Sequence, residues 1–298
     1  MKKVLVVAGP TASGKTDFSV ELAKRLDTEI ISGDSIQVYK GFDIGSGKVT
    51  EEEKQGVKHH LIDILEPTIQ YSVADFQRNA RSLIDESSKP MIIAGGTGLY
   101  LKACLYDYEF VEQAISRDES LEKYTNHELY EMLLEKDPKQ AEKIHENNRQ
   151  RVIRSLTVLE NTGKKQSDII DEQEHKPIYD FFIAGCTMDR EELYNRINLR
   201  VHNMIKKGLE QEVKGLLDKG ITFDDPAMKG IGYREWKDYF DGNISIDVVE
   251  ECIARNSRRY AKRQYTWLNH QMEVHWFDPR NNEERQNMLE QMVSFTKL

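Results

Sequence analysis

Cysteine is scarce in this sequence, and no two cysteines lie close together. The 298 residues include 3 cysteines, Cys104, Cys186 and Cys252, with no C-x-x-C pair among them. Zinc sites and disulfide frameworks both need cysteines in paired or regularly spaced positions. The sequence therefore predicts reduced cysteines that serve packing, as is typical of a cytoplasmic protein.

Long apolar stretches are also lacking. No run approaches the ~20 consecutive apolar residues that a membrane-spanning helix needs. The chain does not open on a basic segment followed by an apolar one, which is the pattern of a secretory leader. We therefore expect no membrane partner and no cleaved leader. With 39% apolar and 31% charged residues, the composition suits one large globular domain or a core with an inserted domain.

A net positive charge is absent as well, since the formal charge is −9 at pH 7. This argues against a general polyanion binder but not against a local basic surface. Opposite an apolar stripe, one side of a predicted helix carries five cations: Arg255, Arg258, Arg259, Lys262 and Arg263. A solvated helix face is the alternative, but such faces usually interleave acids with the cations. The segment therefore favours contact with nucleic acid.

The most specific motif that is present is a phosphate-binding loop near the start of the chain. After the apolar run 4–8, the pattern G-x-x-x-x-G-K-[ST] is filled by Gly9, Pro10, Thr11, Ala12, Ser13, Gly14, Lys15 and Thr16. In this context backbone N–H groups surround an anion, Lys15 pairs with phosphate oxygens, and the Thr16 hydroxyl can bind Mg²⁺. An ordinary glycine turn before a helix is the alternative. The motif predicts a bound di- or triphosphate without saying which ester.

Short β-rich runs alternate with helical stretches through the first part of the chain. Strands are predicted at 4–8, 29–32, 60–65, 91–94 and 179–186, and helices at 17–26 and 73–84. The alternation indicates an α/β fold, a P-loop NTPase-like parallel sheet with flanking helices. Residues 112–176 are charged and helix-periodic, which predicts a helical insertion domain between core segments 1–111 and 177–298. After Arg190 we expect helices, loops at 220–232 and a weakly patterned tail after Pro279.

Ligands of open parallel sheets bind at the carboxyl ends of the strands, so the residues after each strand are candidates for the site. Asp34 follows the second predicted strand, and Gly95, Gly96 and Thr97 follow the fourth. Asp34 can take a proton from a nucleophile or hold a water of Mg²⁺, whereas a helix-capping aspartate is the alternative. The Gly-Gly-Thr sequence stands where an ATPase normally has an acidic residue for Mg²⁺, which weakens the ATPase interpretation.

In these motifs the chain resembles the bacterial tRNA dimethylallyltransferases, a family that transfers an isoprenoid group to the exocyclic amine of an adenine beside the anticodon. The resemblance covers nearly the whole chain, through GPTASGKT at 9–16, DSIQVY at 34–39, DIG at 43–45, HHLID at 59–63, GGTGLY at 95–100, RQRVIR at 149–154, LYNRI at 193–197, RV at 200–201, GIGYRE at 230–235, YAKRQ at 260–264 and TW at 266–267. The sequence departs from the family pattern at residues 46–49, 146, 148 and 268. It also lacks a paired-cysteine finger near its end, as bacterial members do.

The resemblance implies that the phosphate loop holds the diphosphate of dimethylallyl diphosphate, with Mg²⁺ on Thr16. It further implies that Asp34 accepts the proton lost by the adenine amine and that Thr97 positions that amine. On the flank of a helix, Arg200, with Arg196 one turn away, is a candidate for the opposite side of the diphosphate; surface cations are the alternative. The predicted tRNA-contacting residues are Asp34, Ser35, Ile36, Gln37 and Thr97 at the base, Arg117, Gln150, Arg151, Val152, Ile153 and Arg154 in the insertion, Lys229, Gly230, Ile231, Gly232, Tyr233 and Arg234 in a loop, and Arg258, Arg259, Lys262 and Arg263 on the basic helix.

The predicted function is therefore transfer of a dimethylallyl group to N6 of the adenosine 3′-adjacent to the anticodon, by a cytoplasmic monomer. We expect Arg149, Arg151 and Arg154 of the insertion and the basic helix face to hold two sides of the anticodon stem. Two alternatives stay open. One is a P-loop kinase of a small metabolite or nucleotide, and the other is a non-catalytic, nucleotide-gated RNA-binding protein.

Overall fold

The computed structural model describes residues 1–110 and 119–297. The chain forms two compact units, a core unit of Met1–Tyr106 with Pro177–Leu298 and an inserted unit, Asp107–Lys176. In the described ranges no helix combines the length and the apolar character that crossing a bilayer demands. Arg117, predicted to contact tRNA, lies outside the described residues.

The core unit is built on a parallel sheet. Its strands are β1 Lys3–Ala8, β2 Ile30–Ser32, β3 His59–His60, β4 Met91–Gly95, β5 Asp180–Cys186 and β6 His275–Phe277. They lie in the order β3-β2-β4-β1-β5-β6, and each neighbouring pair is parallel. The central strand β1 is fully buried from Val4 to Ala8, because a parallel strand covered on both faces needs an uninterrupted apolar run. The predicted parallel α/β fold is confirmed.

The helices are given in chain order: α1 Lys15–Leu26, α2 Glu51–Lys54, α3 Val73–Glu86, α4 Gly98–Leu105, α5 Asn126–Lys136, α6 Pro138–Ala141, α7 Arg149–Thr162, α8 Gln166–Asp171, α9 Arg190–Lys206, α10 Leu209–Asp218, α11 Lys237–Phe240, α12 Ile246–Gln271 and α13 Asn282–Lys297. Short 3₁₀ helices occupy Glu119–Lys123, Ala227–Lys229 and Arg234–Trp236. Helices α5 to α8 belong to the inserted unit, and the others belong to the core unit.

Alternate side chains of β1 pack on opposite faces of the sheet, as the twofold period of a strand requires. Val4 and Val6 join a cluster with residues of α3 and α4. Leu5 and Val7 join one with residues of α1 and α13. A third cluster unites the loop after β2 with α9, α10 and α12. The sheet is therefore covered on both faces, and the loop after β2 is anchored to α9, α10 and α12.

The third strand is shorter than the predicted range 60–65. Only His59–His60 pairs as a strand, and Leu65 makes an isolated bridge to Tyr39. Leu61 and Asp63 adopt φ angles of 60° and 55°, which an extended strand cannot contain.

After Arg190 the sequence predicted helices and loops but no further strand, and the strand β6 shows that this prediction is wrong; the weakly patterned tail after Pro279 forms the helix α13. Three residues give β6 too little length for a readable pattern. On α13 the buried side chains are Met288, Leu289 and Met292, which cover the sheet beside α1. This helix is recognisable only when the face that it covers is known.

Candidate functional site

The phosphate-binding loop turns sharply between β1 and α1. Gly9, Ala12 and Gly14 have φ angles of 142°, 64° and 91°, and α1 begins at Lys15. These left-handed residues curl the backbone at a helix N-terminus, which is the arrangement that binds anions in phosphate loops. The loop therefore has the backbone geometry of an anion-binding loop.

Lys15 is the cation of this loop. Its Nζ donates a hydrogen bond to the carbonyl oxygen of Pro10 at 2.6 Å. Burial, aided by the nearby Arg200, lowers the pKa of Lys15 to about 8, while Cys186 and Asp34 oppose the shift. At pH 7 about nine-tenths of such a side chain is still protonated. The loop thus presents a desolvated positive charge that an anion would stabilise.

A cavity of about 480 Å³ opens at the carboxyl ends of the strands. All of its walls come from the core unit. The lining includes these residues: Thr11, Lys15, Thr16, Asp34, Ser35, Ile36, Gln37, Arg200, Lys229, Gly230, Ile231, Arg234, Tyr260, Arg263 and Gln264. The fold therefore gathers the predicted phosphate, base and loop residues around one space.

Asp34 has one oxygen committed to the local backbone. Its Oδ1 accepts hydrogen bonds from the N–H groups of Ile36 at 2.8 Å and Gln37 at 3.2 Å. No hydrogen bond to Oδ2 occurs within residues 1–110 and 119–297. The negative charge of Asp34 acts on both Lys15 and Arg200. Asp34 thus caps the turn with one oxygen, and its other oxygen accepts no hydrogen bond from the described residues.

Arg200 is a half-buried cation on the cavity wall, with the carboxylates of Asp34 and Glu53 as its charged neighbours. It extends from α9, and its Nη2 donates to the carbonyl oxygen of Gly47 at 3.3 Å. Burial lowers the pKa of Arg200, and the charge of Asp34 counters that shift. A guanidinium remains charged in proteins. The wall of the cavity therefore carries a charged, largely desolvated guanidinium.

Arg196 lies beside the phosphate-binding loop, and not opposite it as the sequence suggested. It is exposed, and its Nε donates to the carbonyl oxygen of Ala12 at 3.0 Å. It therefore braces the phosphate-binding loop from outside.

Thr97 caps the start of α4, and it is not among the residues that line the cavity, although Gly95 and Gly96 just before it are. The phenol of Tyr260 is within hydrogen-bonding reach of the Thr97 and Gln264 side chains. Burial, followed by the charge of Asp34, raises the pKa of Tyr260, so its hydroxyl is a neutral donor at physiological pH. In the sequence Tyr260 belongs to the apolar stripe that lies opposite the five cations of this helix, which gives no sign of a role in the site.

Gln264 is a second residue whose role the sequence did not reveal. It is buried, its Oε1 accepts from the N–H of Thr11 at 3.3 Å, and its Nε2 donates to the carbonyl oxygen of Gly96 at 2.9 Å. A Cβ on Gly98 would lie 2.0 Å from Trp267, so the glycines after β4 admit side chains of α12. The available signal was a glutamine on the apolar side of a helix.

The basic side of α12 is present as predicted. Arg255, Arg259, Lys262 and Arg263 are exposed, and Arg258 is half-buried. Arg258 donates to Oδ1 of Asn198, and Arg263 lies over the ring of Tyr260. Within the described ranges, none of the five forms an ion pair with a carboxylate. The helix thus presents uncompensated positive charge.

The predicted RNA-contacting residues of the inserted unit separate into two groups. Gln150, Arg151 and Arg154 are exposed on α7, and Ile153 is half-buried. Val152 is fully buried in the core of the unit, so its predicted contact with RNA is wrong for the side chain. Arg149 donates to the backbone carbonyls of Tyr124 and Glu122, so it holds this unit together.

The predicted RNA-contacting loop 229–234 separates in the same way. Lys229 and Arg234 are exposed, whereas Gly232 and Tyr233 are buried. The Tyr233 hydroxyl donates to Oε1 of Glu212 at 2.7 Å and accepts from the N–H of Ser46 at 3.1 Å. The predicted RNA contact of the Tyr233 side chain is therefore wrong, because that side chain is committed to the interior.

Comparison with known proteins gives a consistent result. The IPP transferase family model matches residues 37–271. A tRNA dimethylallyltransferase of Anoxybacillus flavithermus is 50% identical over 283 residues, covering 93% of this chain and 90% of the relative. The structure of the full-length tRNA isopentenylpyrophosphate transferase of Bacillus halodurans has a TM-score of 0.75 at 41% identity, over 100% of this chain and 97% of that one. A eukaryotic dimethylallyltransferase acting on tRNA has a TM-score of 0.84 at 27% identity, over 99% of this chain and 79% of that one.

Proposed function

The chain belongs to the IPP transferase family, and from this premise we propose that it transfers the dimethylallyl group of dimethylallyl diphosphate to N6 of the adenosine 3′-adjacent to the anticodon of tRNA. The observation that carries the proposal is a single cavity lined by two desolvated cations, Lys15 and Arg200, and by the carboxylate of Asp34. Cations suit a diphosphate leaving group, and a carboxylate suits the proton that the amine must lose.

The diphosphate is the group whose charge changes most during the reaction. N6 attacks the allylic carbon, the C–O bond to the diphosphate breaks, and the bonding electrons leave with the diphosphate oxygen. Lys15, Arg200 and the backbone N–H groups of residues 11–16 stabilise the charge that grows there. Because both cations are already desolvated and held in place, little reorganisation is needed when the bond breaks.

Mg²⁺ fits this site as a companion of the diphosphate. No cluster of three or more His, Cys, Asp or Glu side chains suited to a metal ion occurs in the part of the chain that the structure describes. In proteins Mg²⁺ typically combines substrate phosphate oxygens with one or two protein oxygens and waters. Thr16 on the cavity wall is such an oxygen donor. When bound, Mg²⁺ supplies further positive charge beside the leaving group.

Asp34 accepts the N6 proton on Oδ2 as the new C–N bond forms. Its Oδ1 stays on the backbone N–H groups of Ile36 and Gln37, which holds the carboxylate in place throughout. The Thr97 hydroxyl, in reach of the Tyr260 phenol, positions the amine. An adenine amine is a poor nucleophile, so positioning and leaving-group stabilisation supply more of the rate than base strength.

The adenine must leave its stack to reach the cavity, which costs a few kcal/mol that backbone contacts offset. Ser35, Ile36 and Gln37 line the cavity where the flipped base would enter. The exposed cations of α12 and, in the inserted unit, Gln150, Arg151 and Arg154 bind the RNA backbone. We further propose that the protein acts as a monomer and, because its cysteines are free thiols, in the cytoplasm.

A kinase is disfavoured by the residues at the ends of the two strands beside β1. β4 ends at Gly95, before Gly96 and Thr97, and β5 ends at Cys186, before Thr187 and Met188. ATP chemistry in P-loop proteins uses an acidic residue near such a strand end to hold Mg²⁺. Its replacement by small or neutral residues favours a diphosphate ester over ATP as the ligand.

The proposal is tested by incubating the protein with Mg²⁺, labelled dimethylallyl diphosphate and an unmodified tRNA transcript. We expect label in the RNA without ATP, and none in a transcript with guanosine in place of the acceptor adenosine. Transfer that depends on ATP would point to the kinase. RNA binding without any transfer would point to a non-catalytic protein.

A further inference from the structure

One carboxylate ties the loop after β2 to helix α10. Oε2 of Glu212 accepts from the N–H groups of Asp43 at 3.1 Å and Ile44 at 2.7 Å, and Oε1 accepts from Gly45 at 3.1 Å. Three successive backbone donors thus converge on a single side chain. Charge-assisted hydrogen bonds of this kind are stronger than neutral ones.

Tyr233 completes this arrangement. Its buried hydroxyl donates to Oε1 of Glu212 at 2.7 Å and accepts from the N–H of Ser46 at 3.1 Å. The Tyr233 ring packs against Phe42, with 4.4 Å between ring centroids. Four consecutive residues of the loop, 43–46, are therefore held by Glu212 and Tyr233.

The next residue of the loop, Gly47, contacts the cavity residues. Its carbonyl oxygen accepts from Nη2 of Arg200 and from Nε2 of Gln37, each at 3.3 Å. The φ angle of Gly47 is 59°, and a Cβ there would lie 1.7 Å from the Arg200 guanidinium. The backbone at this point is shaped to hold both side chains by one oxygen.

From these contacts we infer that Glu212, with Tyr233, is a positioning residue: it fixes the Gly47 carbonyl, which sets the diphosphate-facing Arg200 and the base-facing Gln37 relative to each other. The inference rests on the proposed function, because it assigns the diphosphate and the adenine to these two side chains. Neither Glu212 nor Tyr233 touches the substrates. Their effect passes through Arg200 and Gln37.

The test compares two glutamates of α10. Glu212→Gln replaces two pure acceptor oxygens by an amide that cannot accept from all four donors. Glu210→Gln is the matched control, since Glu210 also accepts from a tyrosine hydroxyl, that of Tyr239 at 2.8 Å. We expect Glu212→Gln to weaken binding of inorganic pyrophosphate about tenfold and to lower kcat about tenfold at saturating substrates, since small displacements of positioning groups have effects of this order or larger. Glu210→Gln should leave both values unchanged.

A double variant separates positioning from general destabilisation. If Glu212 acts through Arg200, the pyrophosphate affinity of Glu212→Gln with Arg200→Ala should equal that of Arg200→Ala alone. Suppose that Arg200→Ala weakens pyrophosphate binding as expected. The inference is then overturned if the losses of affinity of the two single variants add in the double variant, or if Glu212→Gln keeps wild-type affinity and kcat. An unchanged pyrophosphate affinity in Arg200→Ala would instead contradict the proposed function's assignment of Arg200 to the diphosphate. If Glu212→Gln does not fold, Tyr233→Phe serves in its place, with the same direction of change expected and wild-type values refuting the inference.

Discussion

The lowered pKa of Lys15 predicts how diphosphate affinity depends on pH. Burial places the pKa of Lys15 at about 8 in the protein without ligand. A bound diphosphate supplies negative charge and raises that pKa, because an opposite charge nearby favours the protonated form. Below pH 8 the lysine is charged with or without ligand, so affinity should be flat. Above pH 8 binding must be accompanied by proton uptake, so affinity should fall.

The size of the fall follows from the pKa of about 8. At pH 9 about nine-tenths of the free protein carries a neutral Lys15, so affinity should be about tenfold lower than at pH 7, or about 1.4 kcal/mol. The slope should approach one decade per pH unit. The ligand is dimethylallyl diphosphate without tRNA, whose terminal phosphate is essentially fully ionised above pH 7, as in other phosphate esters.

The measurement is isothermal titration calorimetry at pH 7, 8 and 9, in two buffers of different ionisation heat at constant Mg²⁺. The difference in binding enthalpy between the two buffers gives the number of protons taken up on binding, which should rise from near none at pH 7 towards one at pH 9. The control is Lys15→Arg, whose guanidinium stays charged throughout. Equal pH slopes in the wild type and in Lys15→Arg would refute the assignment of the pH dependence to Lys15.

Two further predictions concern proton transfer and RNA binding. Asp34→Asn keeps an Oδ1 acceptor for the turn but loses the base, so the rate of dimethylallyl transfer should fall ~10²-fold in a turnover assay. Its stability to thermal melting and its tRNA affinity in filter binding should stay at the wild-type level. Asp34→Ala should in addition lose about 1–3 kcal/mol of stability, because the half-buried N–H groups of Ile36 and Gln37 lose their acceptor. Wild-type turnover in either variant would contradict the role of Asp34. Reversing Arg258, Arg259 and Lys262 to Glu should weaken tRNA binding and lower the magnitude of the salt slope by ~0.7 to 0.9 per lost phosphate contact. An unchanged salt slope would show that this face of α12 is only a solvated surface. The control is Lys214→Glu on α10, which should leave tRNA affinity and its salt slope unaltered.

The features that the sequence predicted well are those encoded by neighbouring residues. The phosphate-binding loop, its flanking strand and helix and the basic side of α12 each follow from a contiguous pattern. Asp34 was predicted to lie at the carboxyl edge of the sheet because it follows a buried strand by two residues, and it lines the cavity there. In each of these cases the residues that determine the local structure are close together in the sequence.

The features that the sequence missed depend on partners far along the chain. Gln264 meets Thr11 across 253 residues, and Glu212 meets Asp43 across 169. Tyr233 lies in a loop rich in glycine and cations, and only the position of Glu212 shows that its hydroxyl faces inwards. Arg149 and Arg151 look alike in the sequence, yet one binds backbone carbonyls and the other is exposed.

The ends of the inserted unit meet, and this affects how the core unit can assemble. Tyr106 forms an antiparallel bridge with Pro177, the N–H of Asp107 donates to Lys176 at 2.9 Å, and that of Ile178 donates to Leu105 at 3.0 Å. The inserted unit also has its own apolar cluster, around Leu129 and Leu156 among others. The entropy lost on closing a loop grows with the logarithm of its length. Once the inserted unit has folded, β5 therefore joins β1 as though only a short turn followed α4, so this long interruption adds little to the entropic barrier of completing the sheet.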